Sequence, residues 1–236
     1  MSELRLTVLS LRYSSWSMRP WLTLTHADAS FTADTVELPH MQGRAEPTAL
    51  AERRALGSVR GLFPVLRVDG IPIHESLAIC EYAAEAFPEA QLWPESALER
   101  ARARAISCEM LSGFTSLRTE MSCHLFGRVR GFSPKAETRA EIERVFEIWH
   151  ECLSRSGGPF LFGRFGIADA MFYPVLTRFR TYDVTLPEDL NAYALSLDGQ
   201  PAVRRLIETA SAAPRLRVYD EYLQRLGGDP QAGLYR

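Results

Sequence analysis

Three hydroxyls crowd into four residues near the start of the chain. They are Ser14, Ser15 and Ser17, in the stretch "YSSWSMRPW" (13–21), which also holds Trp16, Trp21 and Arg19. A linker would lack the tryptophans, and a plain core helix would lack the serines. At a helix start, hydroxyls cap free backbone N–H groups. They can also donate to an anion that the positive end of the helix attracts. Arg19 suits orientation of that helix end or pairing with a carboxylate. A second polar pair, Glu75 and Ser76, opens "ESLAICEYAAEAF" (75–87). Free N–H groups at that helix start suit a carboxylate ligand, and a simple capping pair is the alternative.

These residues need elements to position them. "LRLTVLSL" (4–11) reads as a strand, followed by a helix from about Trp16 to His26 that tolerates Pro20 only in its first turn. "FTADTVEL" (31–38) reads as a second strand, and the polar stretch to about residue 60 has some helix character. "PVLRVDGIPI" (64–73) carries a hairpin signal at Asp69-Gly70, and Pro88 stops the helix after it. This order, β-α-β then β-β-α, suits a small α/β layer with a mixed sheet. From Leu98 onward helical periods take over. The spacing predicts one long helix over 97–121 and others over 140–155, 168–182 (kinked at Pro174) and 201–212. Residues 1–88 and 97–236 are therefore expected as two domains, the second all-helical, with "GGDPQAGLYR" (227–236) as a loose end.

Composition excludes several classes. A net charge of −2 leaves no electrostatic footprint for nucleic acid. No apolar run approaches a membrane span, and no basic segment precedes an apolar one at the N-terminus, so the cytosol is expected. Cys80, Cys108, Cys123 and Cys152 form no C-x-x-C pair and read as reduced thiols. The five histidines have no metal-binding spacing, so no metal is expected. Lys135 is the sole lysine, so any cationic site must use arginine.

Over nearly its whole length the chain resembles the cytosolic glutathione transferases. "FPVLRVDGIPIHESLAICEYAAEAFP" (63–88) is similar to the zeta class and its bacterial relatives, and "GGPFLFGRFGIADAMFYPVLTRF" (157–179) to the family's buried helix with its folding signal. The resemblance implies a thioredoxin-like half, a helical half, glutathione as co-substrate and a twofold dimer. It implies a cis bond between Phe63 and Pro64 that offers the Phe63 backbone to the tripeptide. It also implies that Ser76 holds the γ-glutamyl carboxylate by hydroxyl and backbone N–H, and that Glu75 pairs with the ammonium. His40 ranks first for the glycine carboxylate, ahead of Arg44, Arg53 and Arg60. Asp169, three residues after an N-cap glycine, is assigned to folding.

The zeta class reads S-S-C-x-x-R where this chain reads Ser14-Ser15-Trp16-Ser17-Met18-Arg19. That register implies Ser14 as the hydroxyl that stabilises the glutathione thiolate, with Ser15 assisting and Ser17 as the alternative. A hydrogen bond to the charged form and a helix N-terminus both lower a thiol pKa. Met110, Phe114, Leu117 and Arg118 share one helical face and are expected to wall the electrophile pocket, with Arg118 suited to an anionic group and core packing the alternative for the rest. The expected activity is conjugation of glutathione to a small apolar electrophile. Two alternatives stay open: a glutathione-dependent isomerase of the maleylacetoacetate type, separated by turnover without net glutathione loss, and a non-catalytic glutathione-binding module.

Overall fold

The computed structural model describes residues 2–36 and 47–233. Four strands, β1 (Leu4–Val8), β2 (Thr32–Thr35), β3 (Val65–Val68) and β4 (Ile71–His74), form one mixed sheet in the order β2-β1-β3-β4. β1 pairs with β2 in parallel and with β3 antiparallel. Parallel pairing needs a crossover, and α1 (Ser15–His26) supplies it. The β3–β4 hairpin turns on Asp69 and Gly70, both at positive φ (49° and 84°), the backbone that a two-residue hairpin of matching twist requires. α2 (Pro47–Ala55) and α3 (Ser76–Ala86) complete this half. β1 ends at Val8 and β2 at Thr35, both earlier than their apolar runs; residues 37 and 38 lie outside the described ones.

α1 begins at Ser15, so Pro20 stands in its second turn rather than its first. A proline there removes the N–H that would bond the carbonyl four residues back, that of Trp16. The Ser76 hydroxyl donates to that carbonyl at 2.9 Å instead. The interruption in α1 thus fixes the start of α3 against it.

The second half contains α4 (Ala97–Ser112), α5 (Thr115–Glu120), α6 (Ala136–Ser156), α7 (Ile167–Thr181), α8 (Asn191–Gly199), α9 (Pro201–Ala212) and α10 (Arg217–Arg225). The expected single helix over 97–121 is two helices. Gly113 leaves helical geometry where a Cβ would come within 2.8 Å of the Glu109 carbonyl, and Phe114 takes a left-handed conformation at φ 54°. Glu141 of α6 then accepts from the Ser116 and Leu117 amides of α5, a cap supplied from outside the helix. α7 is buried over nearly its whole length and packs against both α1 and α4. One apolar cluster therefore runs through both halves.

The tail is not a loose end over its described part. Arg128 and Asp229 exchange two backbone hydrogen bonds at 2.8 Å, and the Gly233 N–H donates to the Phe126 carbonyl. α8 and α10 are absent from the periodic pattern of the sequence. Among the described residues no helix is long and apolar enough to cross a membrane.

Candidate active site

A cleft of about 700 Å³ opens between the sheet half and the helical half. Ser14, Ser15 and Trp16 line it from the start of α1, and Phe63, Pro64, Glu75 and Ser76 from the β3 and α3 ends. Tyr13, Arg118, Cys123, Arg178 and Tyr219 form the opposite wall.

Ser14 is the N-cap of α1, in extended conformation, and its Oγ accepts from the Ser17 N–H at 3.3 Å. A hydroxyl has one donor besides its acceptor sites, and no described residue takes the Ser14 proton, which is left for a ligand in the cleft. Ser15 also lines the cleft, and its Oγ accepts from Nη2 of Arg178 at 3.2 Å. Ser17 is different. It is wholly buried, its Oγ accepts from the Leu9 N–H at 3.1 Å, and it does not reach the cleft. It fastens the loop after β1 to the helix.

At the other end, Phe63–Pro64 is a cis peptide. The N–H and C=O of Phe63 make no hydrogen bond within the described residues. Glu75 sits at φ 75°, a left-handed backbone rare for a non-glycine residue. Its carboxylate is exposed to the cleft, with no partner among the described residues. Ser76 is fully buried, and its only proton goes to Trp16. An incoming carboxylate would therefore meet the free backbone N–H groups of the first turn of α3 rather than the hydroxyl proton. Arg53 and Arg60 line the same region. His40 and Arg44 lie outside the described residues.

Of Met110, Phe114, Leu117 and Arg118, expected to wall an electrophile pocket, only Arg118 borders the cleft. Arg118 lines the cleft, and its Nη1 donates to the Leu111 carbonyl at 3.0 Å. Met110, Phe114 and Leu117 are buried in the core and do not border the cleft, because the break at Gly113 turns the shared face they were expected to form. Thr115, Thr119, Ser122, Cys123 and Tyr219 take that place. Tyr219 and Arg178 gave no signal in sequence, since they reach the cleft from helices far along the chain.

Asp169, expected to serve folding, does not border the cleft. Its Oδ1 accepts from the Leu161 N–H and the Tyr193 hydroxyl, both at 3.1 Å, and its Oδ2 from the Gly166 N–H at 3.0 Å. A Cβ at Gly166 would come within 2.6 Å of the Leu92 carbonyl, so the usual serine or threonine cap has no room there.

Comparison with known proteins agrees with this arrangement. The family model for the glutathione S-transferase N-terminal domain matches residues 13–86, and that for the C-terminal domain matches residues 134–219. The chain belongs to the glutathione S-transferase family. A probable maleylacetoacetate isomerase from Caenorhabditis elegans is 29% identical over 202 residues, 85% of each chain. A maleylacetoacetate isomerase from Dictyostelium discoideum is 26% identical over 212 residues, 81% of this chain and 94% of that one. A glutathione transferase homologue from Burkholderia gl BGR1, solved with bound glutathione, shares the fold at a TM-score of 0.67 and 20% identity. That match covers 90% of this chain and all of the other.

Within the family's fold, the hydroxyls at the α1 N-terminus, the cis-proline turn and the start of α3 face one cleft. Among the described residues no cluster of His, Cys, Asp or Glu could hold a metal ion.

Proposed function

We propose that the cleft binds glutathione and that Ser14 stabilises its thiolate for attack on a second substrate. The observation that carries this reading is the Ser14 hydroxyl at the N-cap of α1, facing the cleft with its proton uncommitted. A free thiol near pKa 8.5 is mostly protonated at neutral pH; a hydrogen bond to sulfur and the helix dipole favour the charged form. The γ-glutamyl carboxylate would lie on the first-turn amides of α3 at Ser76, its ammonium against Glu75, and the cysteinyl backbone along Phe63. Arg53 or Arg60, which line the same cleft, would take the glycine carboxylate. The thiolate then forms a C–S bond to an electrophilic carbon, whose leaving group departs with its electron pair.

The sheet half (1–88) would thus bind glutathione while the helical half (97–236) shapes the electrophile side. A twofold dimer in the cytosol is part of the same reading.

A glutathione-dependent isomerase is the second reading. Two observations favour it: the isomerases among the relatives, and the Arg118 guanidinium, which lines the cleft with Nε and Nη2 unbonded among the described residues. Here the thiolate adds to a conjugated double bond, rotation follows and the thiolate leaves, so glutathione is regenerated. Free thiol is counted during turnover of a cis-unsaturated keto acid and of an alkyl or aryl halide. Stoichiometric thiol loss with the halide and none with the acid assign both activities. No turnover of either by the glutathione-loaded protein leaves only a binding module.

A further inference from the structure

Arg178 projects from α7 into the cleft wall although it is only 4% exposed. All three of its nitrogens donate to neutral oxygens. Nε bonds the Met121 carbonyl at 2.8 Å, Nη1 the Pro174 carbonyl at 3.0 Å, and Nη2 the Ser15 hydroxyl at 3.2 Å. Ser15 therefore has an acceptor site occupied by a cation, while its own proton has no acceptor among the described residues. Accepting from a charged donor polarises a hydroxyl and makes it a better donor in turn.

Two further guanidinium groups lie close to Arg178: Arg118 lines the cleft, and Arg19 does not border it. Arg19 is fully buried; its Nε donates to the Met171 carbonyl at 3.2 Å, and Nη1 and Nη2 have no hydrogen-bond partner among the described residues. Arg19 and Arg118 both approach the Trp16 ring, with Cζ 4.8 Å and 5.5 Å from its centroid. Among the described residues no carboxylate bonds Arg19, Arg118 or Arg178. Glu141, the acid that acts on Arg118, is committed to the amides of α5. Burial, and then the charges of Arg178 and Arg118, push Arg19 down to about 9. The other titratable groups facing the cluster are Cys80 and Cys123 beside Arg19, and Tyr182 and Tyr219 beside Arg178. Cys80, Tyr182 and Tyr219 are pushed up by burial, which keeps them neutral near pH 7. Buried cations without a counter-charge are costly unless an anion joins them. An anion bound in the cleft would offset the charge of Arg118 and Arg178.

We propose that Arg178 is a positioning residue for thiol activation: its Nη2 holds Ser15 Oγ so that the Ser15 proton points at the glutathione sulfur. Ser15 is then a second donor to the sulfur, beside Ser14. The helical half takes part in activating glutathione, through one bond between residues 163 positions apart. The inference rests on reading the cleft as the glutathione site.

The test is titration of the bound thiol by ultraviolet absorbance, with the full chain and saturating glutathione, in the parent, Ser15→Ala, Ser15→Thr, Arg178→Gln and the double variant Ser15→Ala/Arg178→Gln. Ser15→Ala and Arg178→Gln are each expected to lower the thiolate-to-thiol ratio at a given pH about tenfold, a modest worth for a hydrogen bond to a charged group. The double variant is expected to lose no more than the larger single loss, because both act through one bond. Ser15→Thr, which keeps the hydroxyl, should restore the parent value, and glutathione affinity should change less than about threefold, since the contacts to its carboxylates are untouched. Should Arg178→Gln fail to fold, the Ser15 pair decides alone. An unmoved thiol in Ser15→Ala, or additive losses in the double variant, overturns the inference. So does a rise in KM for an anionic second substrate with no change in the thiol, which would give the arginines to that substrate. A parent whose bound thiol is itself unshifted removes the reading of the cleft and this inference together.

Discussion

Replacing Tyr13 by phenylalanine removes one oxygen atom from the joint that fastens the loop bearing Ser14 to α10. The Tyr13 hydroxyl donates to Oδ1 of Asp220 at 2.9 Å and accepts from the Leu216 N–H at 3.3 Å. Asp220 is buried; it also accepts from Nε2 of His124 at 2.9 Å and from two nitrogens of Arg215 at 2.8 and 2.6 Å. Burial alone would raise its carboxyl, but the bonds from His124, Arg215 and Tyr13 outweigh it and hold the group below the usual carboxylate range. Two bonds go with the oxygen, the long one from Leu216 and the one to a charged acceptor, and the latter carries about 1.5–3 kcal/mol. Asp220 keeps two partners, and the ring keeps its stack on Tyr219 at 4.7 Å and its edge contact with His124 at 4.9 Å, so the loss stays within that range. About 2 kcal/mol lowers Tm by roughly 4–8 °C in a chain of this size. Calorimetry of parent, Tyr13→Phe, Asp220→Asn and the double variant measures it. The two single losses are expected not to add, with a coupling of about 0.5–3 kcal/mol. A Tm change below about 1 °C, or simple additivity, refutes the claim that the hydroxyl–carboxylate contact carries the joint.

Three other outcomes follow from buried groups. Asp169→Asn keeps one acceptor but turns an NH₂ toward a backbone donor, and should cost about 2–4 kcal/mol in chemical denaturation. Burial pushes the Asp169 carboxyl up to about 7, against its hydrogen bonds, so its contribution is full below about 4 and is lost as pH rises through 7; the Tm gap between parent and Asp169→Asn should narrow on going from acid to neutral pH. Burial lowers the His124 imidazole despite its bond to Asp220, so its contribution is full above 6.5 and is lost as pH falls through the depressed folded value; His124→Gln, which can still donate to Asp220, should flatten the acid side of the Tm profile.

Signals within a few residues of one another were legible in the sequence. The hairpin at Asp69-Gly70, the α3 helix ended by Pro88 and the serines at the head of α1 all rest on local turn and capping chemistry. The break between α4 and α5 was not legible, because Phe114 takes a positive φ that its residue type does not announce and the cap comes from Glu141 in another helix. Pro20 looked tolerable only in a first turn because Ser76, which satisfies the freed carbonyl, lies 60 residues away. The serines were legible as a group but not by role: Ser17 is withdrawn by the Leu9 amide and Ser15 is engaged by Arg178, both tertiary contacts. The polar joint at Asp220 had the same cause, since it gathers Tyr13, His124 and Arg215 from distant parts of the chain.

The most direct test of thiol activation is a pH titration of glutathione bound to the parent and to Ser14→Ala, read by thiolate absorbance. The parent is expected to bring the thiol about two units below its free value near 8.5, and Ser14→Ala to return most of that shift while still binding glutathione. A bound thiol that titrates at its free value in the parent, or a shift that Ser14→Ala leaves whole, would contradict the assignment of Ser14 as the stabilising donor.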